Sequence, residues 1–418
     1  VPTLLKRMTA RETREAHRVS SPLELLVDLV FVVAVAQLAA ALAHSVEEGH
    51  LLEGILPFVM VFFAIWWAWM NFTWFASAYD TDDVPYRLLT LVQMAGALII
   101  AASAARAFEG EYAGATIGYL VMRVGLVSQW IRAGIQHPEG RTTAFRYAGG
   151  ITAVQVLWFA RLLLPYEVQF PAFFLVAILD MAVPAWAERS GRTSWHPHHI
   201  AERYGLFVII LLGESVLAAT VAFAQAELTP SLAAVGLSGL VILFALWWIY
   251  FLQPVGDGLA ARPDRSFWWG YGHYFLFAAL ASIGAGLEVA VVTIGHAAAE
   301  VDHALAAGAA MAAEEGEAVV GSVAAALGIA VPVAIALVMM WALHGPLGIR
   351  SLVRAPVALG GAAAIVAAAL LAGSIGLAAA IAATAGILVL VVASEYLPRS
   401  APPRSAGSGQ IAGSSSVS

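Results

Sequence analysis

Cysteine is absent from the 418 residues, which excludes disulfides, thiolate metal sites and a cysteine nucleophile. Lysine occurs once, at Lys6, and charged residues of both signs make up only 12% of the chain. A soluble domain carries roughly 25%. No GxxxxGK[ST] stretch is present, so no phosphate-cradling loop of the P-loop kind is encoded. The net charge of −7 resides mostly in acidic connections and makes nucleic acid an unsuitable partner. The chain is instead 61% hydrophobic, and its longest stretch without a dense apolar block is the final 20 or so residues. The solvent implied for most of it is hydrocarbon, with the lipid bilayer as its principal partner.

Apolar runs of about 20 residues, enough to cross a bilayer, occur at 22–43, 55–78, 87–107, 113–135, 145–164, 168–188, 200–223, 232–253, 270–295, 319–343, 355–373 and 376–396. The expected fold is all-α, a polytopic bundle of about 12 transmembrane helices. Gly373, Ser374 and Gly376 are the only turn between the last two runs, so a single bent or re-entrant element is an alternative there. Arginine tests the count, because cytoplasmic connections are enriched in basic residues. With the N-terminus inside, every basic residue except Arg106, Arg161 and Arg123 falls in an inner segment, while Glu47, Glu48, Glu227 and Asp302 fall outside. Both termini are then cytoplasmic. The charged first 20 residues precede no small-residue cleavage site, and the first helix is expected to act as its own insertion signal. Residues 297–318 read as an external loop or amphipathic surface helix, and 397–418, rich in Pro, Ser and Gly, as a disordered tail.

The chain repeats itself at an offset of roughly 180 residues. ELLVDLVFVVAVAQL (24–38) parallels ERYGLFVIILLGESVL (202–217), and each is followed by paired tryptophans, in FFAIWWAWM and LFALWWIYF. Six helices per unit is an even number, so the two halves, 21–190 and 198–396, are expected to run parallel as a 6+6 repeat.

Ionisable groups at membrane depth are costly and need a partner or a purpose. Glu24 and Asp28 stack on one face of the first helix at i,i+4. Glu24 suits a cap behind Ser20, Ser21 and Pro22, whereas Asp28 lies deeper. Arg123, Asp180 and Glu214 lie nearest the midplane by residue count. They form either a buried ion pair with a spectator acid or the polar lining of a proton or anion route. Gln37, Asn71 and Ser215 are further polar candidates for such a pathway, and Trp66, Trp67, Trp69 and Trp74 could wall a cavity with Asn71 as its polar handle. Glu288 and His273 are weaker candidates. At the inner surface, Asp80, Asp82, Asp83 and Arg87 form the densest charged cluster. They read as loop and cap residues or as a hard-cation site. His196, His198, His199, Glu202 and Arg203 follow in the 6–7 connection; capping at the membrane surface is preferred there to a metal, and no cofactor or metal is expected.

ELLVDLVFVVAVAQL, WWAWMNFTWFASAYDTDDVPYRLLTLVQMAG (66–96) and HHIAERYGLFVIILLGESVL (198–217) together resemble the signatures of the bacterial low temperature requirement A family. The resemblance implies residence in the bacterial plasma membrane. It carries importance to Glu24, Asp28, Gln37, Trp67, Asp80, Arg87, Glu202, Arg203, Gly213, Glu214 and Ser215. Leu26 and Val27 stand where the family commonly has aromatics. The family's name describes cold growth and implies no chemistry. The expected function is secondary transport of a small molecule or ion, with Asp28 and Glu214 as proton carriers. The alternatives are an enzyme acting on lipid at the inner surface, built from the Asp80–Arg87 and His199–Arg203 groups, and a non-transporting protein of cold adaptation. A polar midplane cavity containing Glu214 favours the first, a cavity opening only at the inner surface beside Asp80 and His199 the second, and a bundle with neither the third.

Overall fold

The computed structural model describes residues 4–12, 15, 18–252, 254–307, 315–348 and 354–396. Every one of the twelve expected segments is helical, and no strand occurs among the described residues. The first half comprises α1 (Pro22–Glu47), α2 (Leu51–Tyr79), α3 (Val84–Phe108), α4 (Ala113–Gln136), α5 (Arg141–Leu162) and α6 (Tyr166–Ala187). The second comprises α7 (Pro197–Gln225), α8 (Pro230–Phe251), the short α9 (Val255–Ala261), α10 (Ser266–Ala307), α11 (Glu315–His344), α12 (Ala355–Leu370), the single turn α13 (Ala372–Ile375) and α14 (Leu377–Ser394). Nine helices among the described residues are long and apolar enough to cross a membrane. The protein is a multi-pass membrane protein.

Local sequence sets the helix starts. Ser21 caps α1 in a reciprocal box with Glu24, and Pro22 occupies the first turn, where its missing N–H costs nothing. Asp83 caps α3, His196 caps α7 and Thr229 caps α8, each followed by a proline in the first turn. At the other extreme, Gly376 adopts φ +87 between α13 and α14, a left-handed conformation that glycine accepts without strain. This resolves the last pair into two helices, and α12 packs against α14.

Of the two readings of 297–318, residues 297–307 take the helical one, as a continuation of α10, and α11 begins at Glu315; 308–314 lie outside the described residues. At 42 residues α10 is about 63 Å long at ~1.5 Å per residue, twice the ~30 Å hydrocarbon core. The Ala-rich composition here (AAAEVDHALAA) favours helix strongly. The tail 397–418 also lies outside the described residues.

The arginine-rich connections gather at one end of the bundle. Lys6 N donates to Asp83 (2.8 Å), Met8 N to Gln136 (2.7 Å) and His196 N to Ser77 (3.0 Å). His198 bonds Asp257 (2.9 Å), and Arg262 donates to the Pro346 carbonyl (2.8 Å). The order of neighbours recurs in the two halves. In the first, α1 packs on α3, α3 on α4, α4 on α5 and α5 on α6; in the second, α7 packs on α10, α10 on α11, α11 on α12 and α12 on α14. The tightest contacts use one device twice. A Cβ on Gly96 would lie 2.5 Å from the Gly118 carbonyl across α3–α4, and one on Gly286 would lie 2.5 Å from the Gly328 carbonyl across α10–α11. Small residues let membrane helices approach this closely and gain dispersion energy. The halves meet through α1 and α2 against α7 and α10.

Candidate functional site

Charged residues from both halves converge beneath the arginine-rich end. Asp28 on α1 and Arg203 on α7 are both fully buried, and Arg203 Nη2 lies 2.6 Å from Asp28 Oδ1. The same oxygen accepts the Trp69 indole N–H from α2 (2.7 Å). One turn nearer the surface, Glu24 Oε1 lies 3.1 Å from His199 Nε2, while its Oε2 completes the cap on Ser21 N (2.8 Å). Glu202 reciprocates from α7 by accepting Ser20 N (3.1 Å). Each half thus places an acid from its first helical turns against the other half's entry segment. The sequence treats Glu24 as a cap, which it is, and the structure adds its ionic contact with His199.

The Asp80–Arg87 cluster divides. Asp83 is the buried cap of α3 and is gripped through both oxygens by Arg132 (2.8 and 2.5 Å). Burial opposes its ionisation, but Arg132 and the backbone N–H groups of Lys6 and Tyr86 outweigh burial and hold its carboxyl well below the usual range. Asp82, at φ 47, pairs through both oxygens with the exposed Arg87 (2.7 and 2.9 Å), whose hydrogen bond lowers its pKa. Asp80 faces inward. Burial, with the charge of Glu24 added, pushes its pKa up to about 6 against the opposing pull of Arg11 and Arg18. Capping and loop structure therefore occupy these acids. The three histidines of the 6–7 connection diverge: His196 bonds the Glu15 carbonyl, His198 meets Asp257, and His199 meets Glu24. Among the described residues no group of three or more His, Asp or Glu is placed to hold a metal.

The midplane groups also separate. Arg123 and Asp180 form a buried ion pair inside the first half (3.3 Å), and Asp180 additionally accepts from Tyr119 (2.7 Å) and Trp158 (3.1 Å). Arg123 lies over the Tyr119 ring at 4.5 Å. Glu214 is not with them. It is half-buried on α7 and forms no ion pair among the described residues. Ser215 turns inward to the Leu280 carbonyl (3.3 Å), and Gln37 is exposed on the outer face of α1. His273 is a packing residue, bonded to Trp269 O and Tyr250 OH.

The aromatic strip of α2 is part wall and part core. Trp66, Trp67 and Trp69 are fully buried, with Trp69 packed 4.3 Å from Phe207, so they do not line a cavity. Asn71 and Trp74, on the opposite side of α2 from Trp69, do line one. This pocket of about 40 Å³ lies between α2, α4, α5 and α6 of the first half and the start of α10. It continues into a mouth of about 370 Å³ at the arginine-rich end, beside Arg192, Pro263 and Asp264. In the second half, α8 and α14 pack closely; the corresponding α2 and α6 stand further apart, around the pocket. Sequence reasoning missed its other walls, Trp130, Tyr147, Glu188, Thr193, Trp195 and Tyr271. They come from four further segments, and no spacing in the chain groups them.

A family model described as bacterial low temperature requirement A protein matches residues 19–394. A protein of Rhizobium meliloti (strain 1021), described as uncharacterized, is 29% identical over 270 residues. The match covers 61% of this chain, which spans 63% of that relative's length. No solved structure matches the chain. Its three motif blocks lie where the halves meet, in α1, in α2 with the start of α3, and in α7. The chain belongs to the bacterial low temperature requirement A (LtrA) family.

Proposed function

We propose that the protein is a secondary transporter of a small solute in the bacterial plasma membrane, built from two parallel six-helix units, 21–190 and 198–396, with both termini cytoplasmic. The recurring order of helix neighbours and the two matching glycine contacts support the repeat. The positive-inside rule assigns the arginine-rich end to the cytoplasm. The observation that carries transport is the pocket at the junction of the halves, which reaches Asn71 within α2 and has its mouth at that end. α2 is its wall, and the other face of α2 holds Trp69 against the Asp28–Arg203 pair that joins the halves. Rocking one unit on the other changes both the mouth and this pair, which is the geometry alternating access requires.

Asp28 and Glu214 are the proposed proton carriers. Asp28 couples because its ion pair spans the moving junction, and Glu214 because it forms no ion pair among the described residues. Glu214 does not line the aromatic pocket, so its part is in coupling and not in holding solute. Lipid chemistry at the surface is less well supported, since Asp82 and Asp83 are each engaged by an arginine and neither Asp80 nor His199 borders the pocket. Proteoliposomes loaded with a pH-sensitive dye test the reading. Solute-induced acidification is expected with the wild type and lost in Asp28→Asn and Glu214→Gln. Unchanged proton movement in Glu214→Gln removes that residue's carrier role, and none above empty liposomes across a solute panel overturns coupled transport.

A further inference from the structure

We propose that the pocket between α2, α4, α5, α6 and α10 binds an organic cation, a quaternary or alkylated ammonium group, with Glu188 as its counter-ion. The inference rests on the transport reading only in calling this ligand the solute; the binding claim stands on the pocket itself.

Three properties of the lining select a cation. The first is its aromatic surface. Trp74, Trp130, Tyr147, Trp195, Phe267 and Tyr271 all border the space. They brace one another: Trp130 stacks on Tyr147 at 4.1 Å and 3°, and Trp74 meets Trp195 at 4.9 Å and 65°. Aromatic faces carry negative quadrupole charge, and cages of them bind alkylated ammonium ions, which cannot be satisfied by hydrogen bonds alone.

The second is the polarity of the groups left to the pocket. Asn71 gives one amide N–H to the Trp67 carbonyl (2.7 Å), and its oxygen is available to a ligand. Glu188 Oε1 accepts from Thr193 (2.6 Å) and Tyr147 (3.3 Å), which fixes the carboxylate at the pocket wall. Glu188 makes no ion pair among the described residues. The hydroxyl of Tyr271 is spent on the Met181 carbonyl and the indole N–H of Trp74 on Tyr204. The inner pocket presents acceptors and π faces, with the unpartnered Trp130 N–H as a donor beside them.

The third is the placement of positive charge. Among the described residues no arginine, lysine or histidine borders the inner pocket; Arg192 borders the mouth, with Asp264 and Glu188. The inner cavity is about 40 Å³, so an alkylated ammonium group occupies it together with the mouth of about 370 Å³ into which it opens.

The test is a titration of purified full-length protein in detergent, read by intrinsic tryptophan fluorescence, since three tryptophans line the site. The probes are choline, tetraethylammonium, the neutral choline isostere 3,3-dimethyl-1-butanol and butyrate. Saturable change is expected with the two cations, and at least tenfold weaker binding with the neutral and anionic probes. Glu188→Gln keeps an oxygen for Thr193 and is expected to raise the cation Kd at least tenfold with little change in melting temperature. Ser266→Trp, which fills the pocket from α10, is expected to abolish binding without removing the charge, and Glu139→Gln, at an exposed site, to leave it intact. Equal affinity for the neutral isostere, preference for butyrate, or unaltered cation affinity in Glu188→Gln overturns the proposal. Cation binding without flux in proteoliposomes upholds it and overturns the transport reading instead.

Discussion

The Asp28–Arg203 pair offers the sharpest stability test, because both side chains are fully buried and they belong to opposite halves. At 2.6 Å, and with an effective dielectric near 20, their attraction is about 6 kcal/mol before desolvation is subtracted. Burial of the two charges offsets most of that, so the intact pair contributes little net stability. Removing one partner is different, since the survivor stays buried and uncompensated at a cost of about 3–5 kcal/mol. Arg203→Met leaves Asp28 with the Trp69 N–H as its remaining donor to Oδ1, and Asp28→Asn leaves Arg203 without its carboxylate. Each single variant is expected to lose about 3–5 kcal/mol. The double variant is expected to lose less than either, because neither orphaned charge remains. Equilibrium unfolding in detergent by urea, run as a double-mutant cycle, measures this. Single losses that add to within ~0.5 kcal/mol would refute the claim that the halves are joined by a direct ionic contact.

Two further expectations concern stability. Asp80, raised to about 6, binds a proton more tightly in the folded protein than in the unfolded chain, where its pKa is ~3.9. Its contribution is fully present below ~3.9 and is lost as pH rises through about 6, so it opposes folding at neutrality. Asp80→Asn, which keeps the Oδ1 acceptor for Asp82 N, should flatten thermal stability between pH 4 and 6.5 and raise the melting temperature at pH 7.5; a fall at pH 7.5 contradicts this. Gly96→Ala should cost about 1–3 kcal/mol, since its Cβ meets the Gly118 carbonyl at 2.5 Å, whereas Gly149→Ala, with nothing within 4 Å, should cost nothing. Equal melting temperatures for the two variants would show that α3 and α4 are not in backbone contact.

Much of this molecule was decided by one-dimensional information. Hydrocarbon as solvent demands apolar runs of a set length, and arginine marks alternate connections, so the helices and their parity can be read directly. Caps such as Ser21–Pro22–Glu24 and Asp83 are equally legible, because their partners lie within a turn. The duplicated motifs are also visible as sequence. Only packing decided which charges meet. Arg123 found Asp180 rather than Glu214 because α4 and α6 both pack against α5, whereas α7 belongs to the other half. Asp28 found Arg203 at a separation of 175 residues, and no local pattern encodes so distant a pairing. The pocket was invisible for the same reason: Trp130, Tyr147, Glu188 and Tyr271 acquire a common purpose only when α2 and α6 stand apart and α10 closes the gap between them.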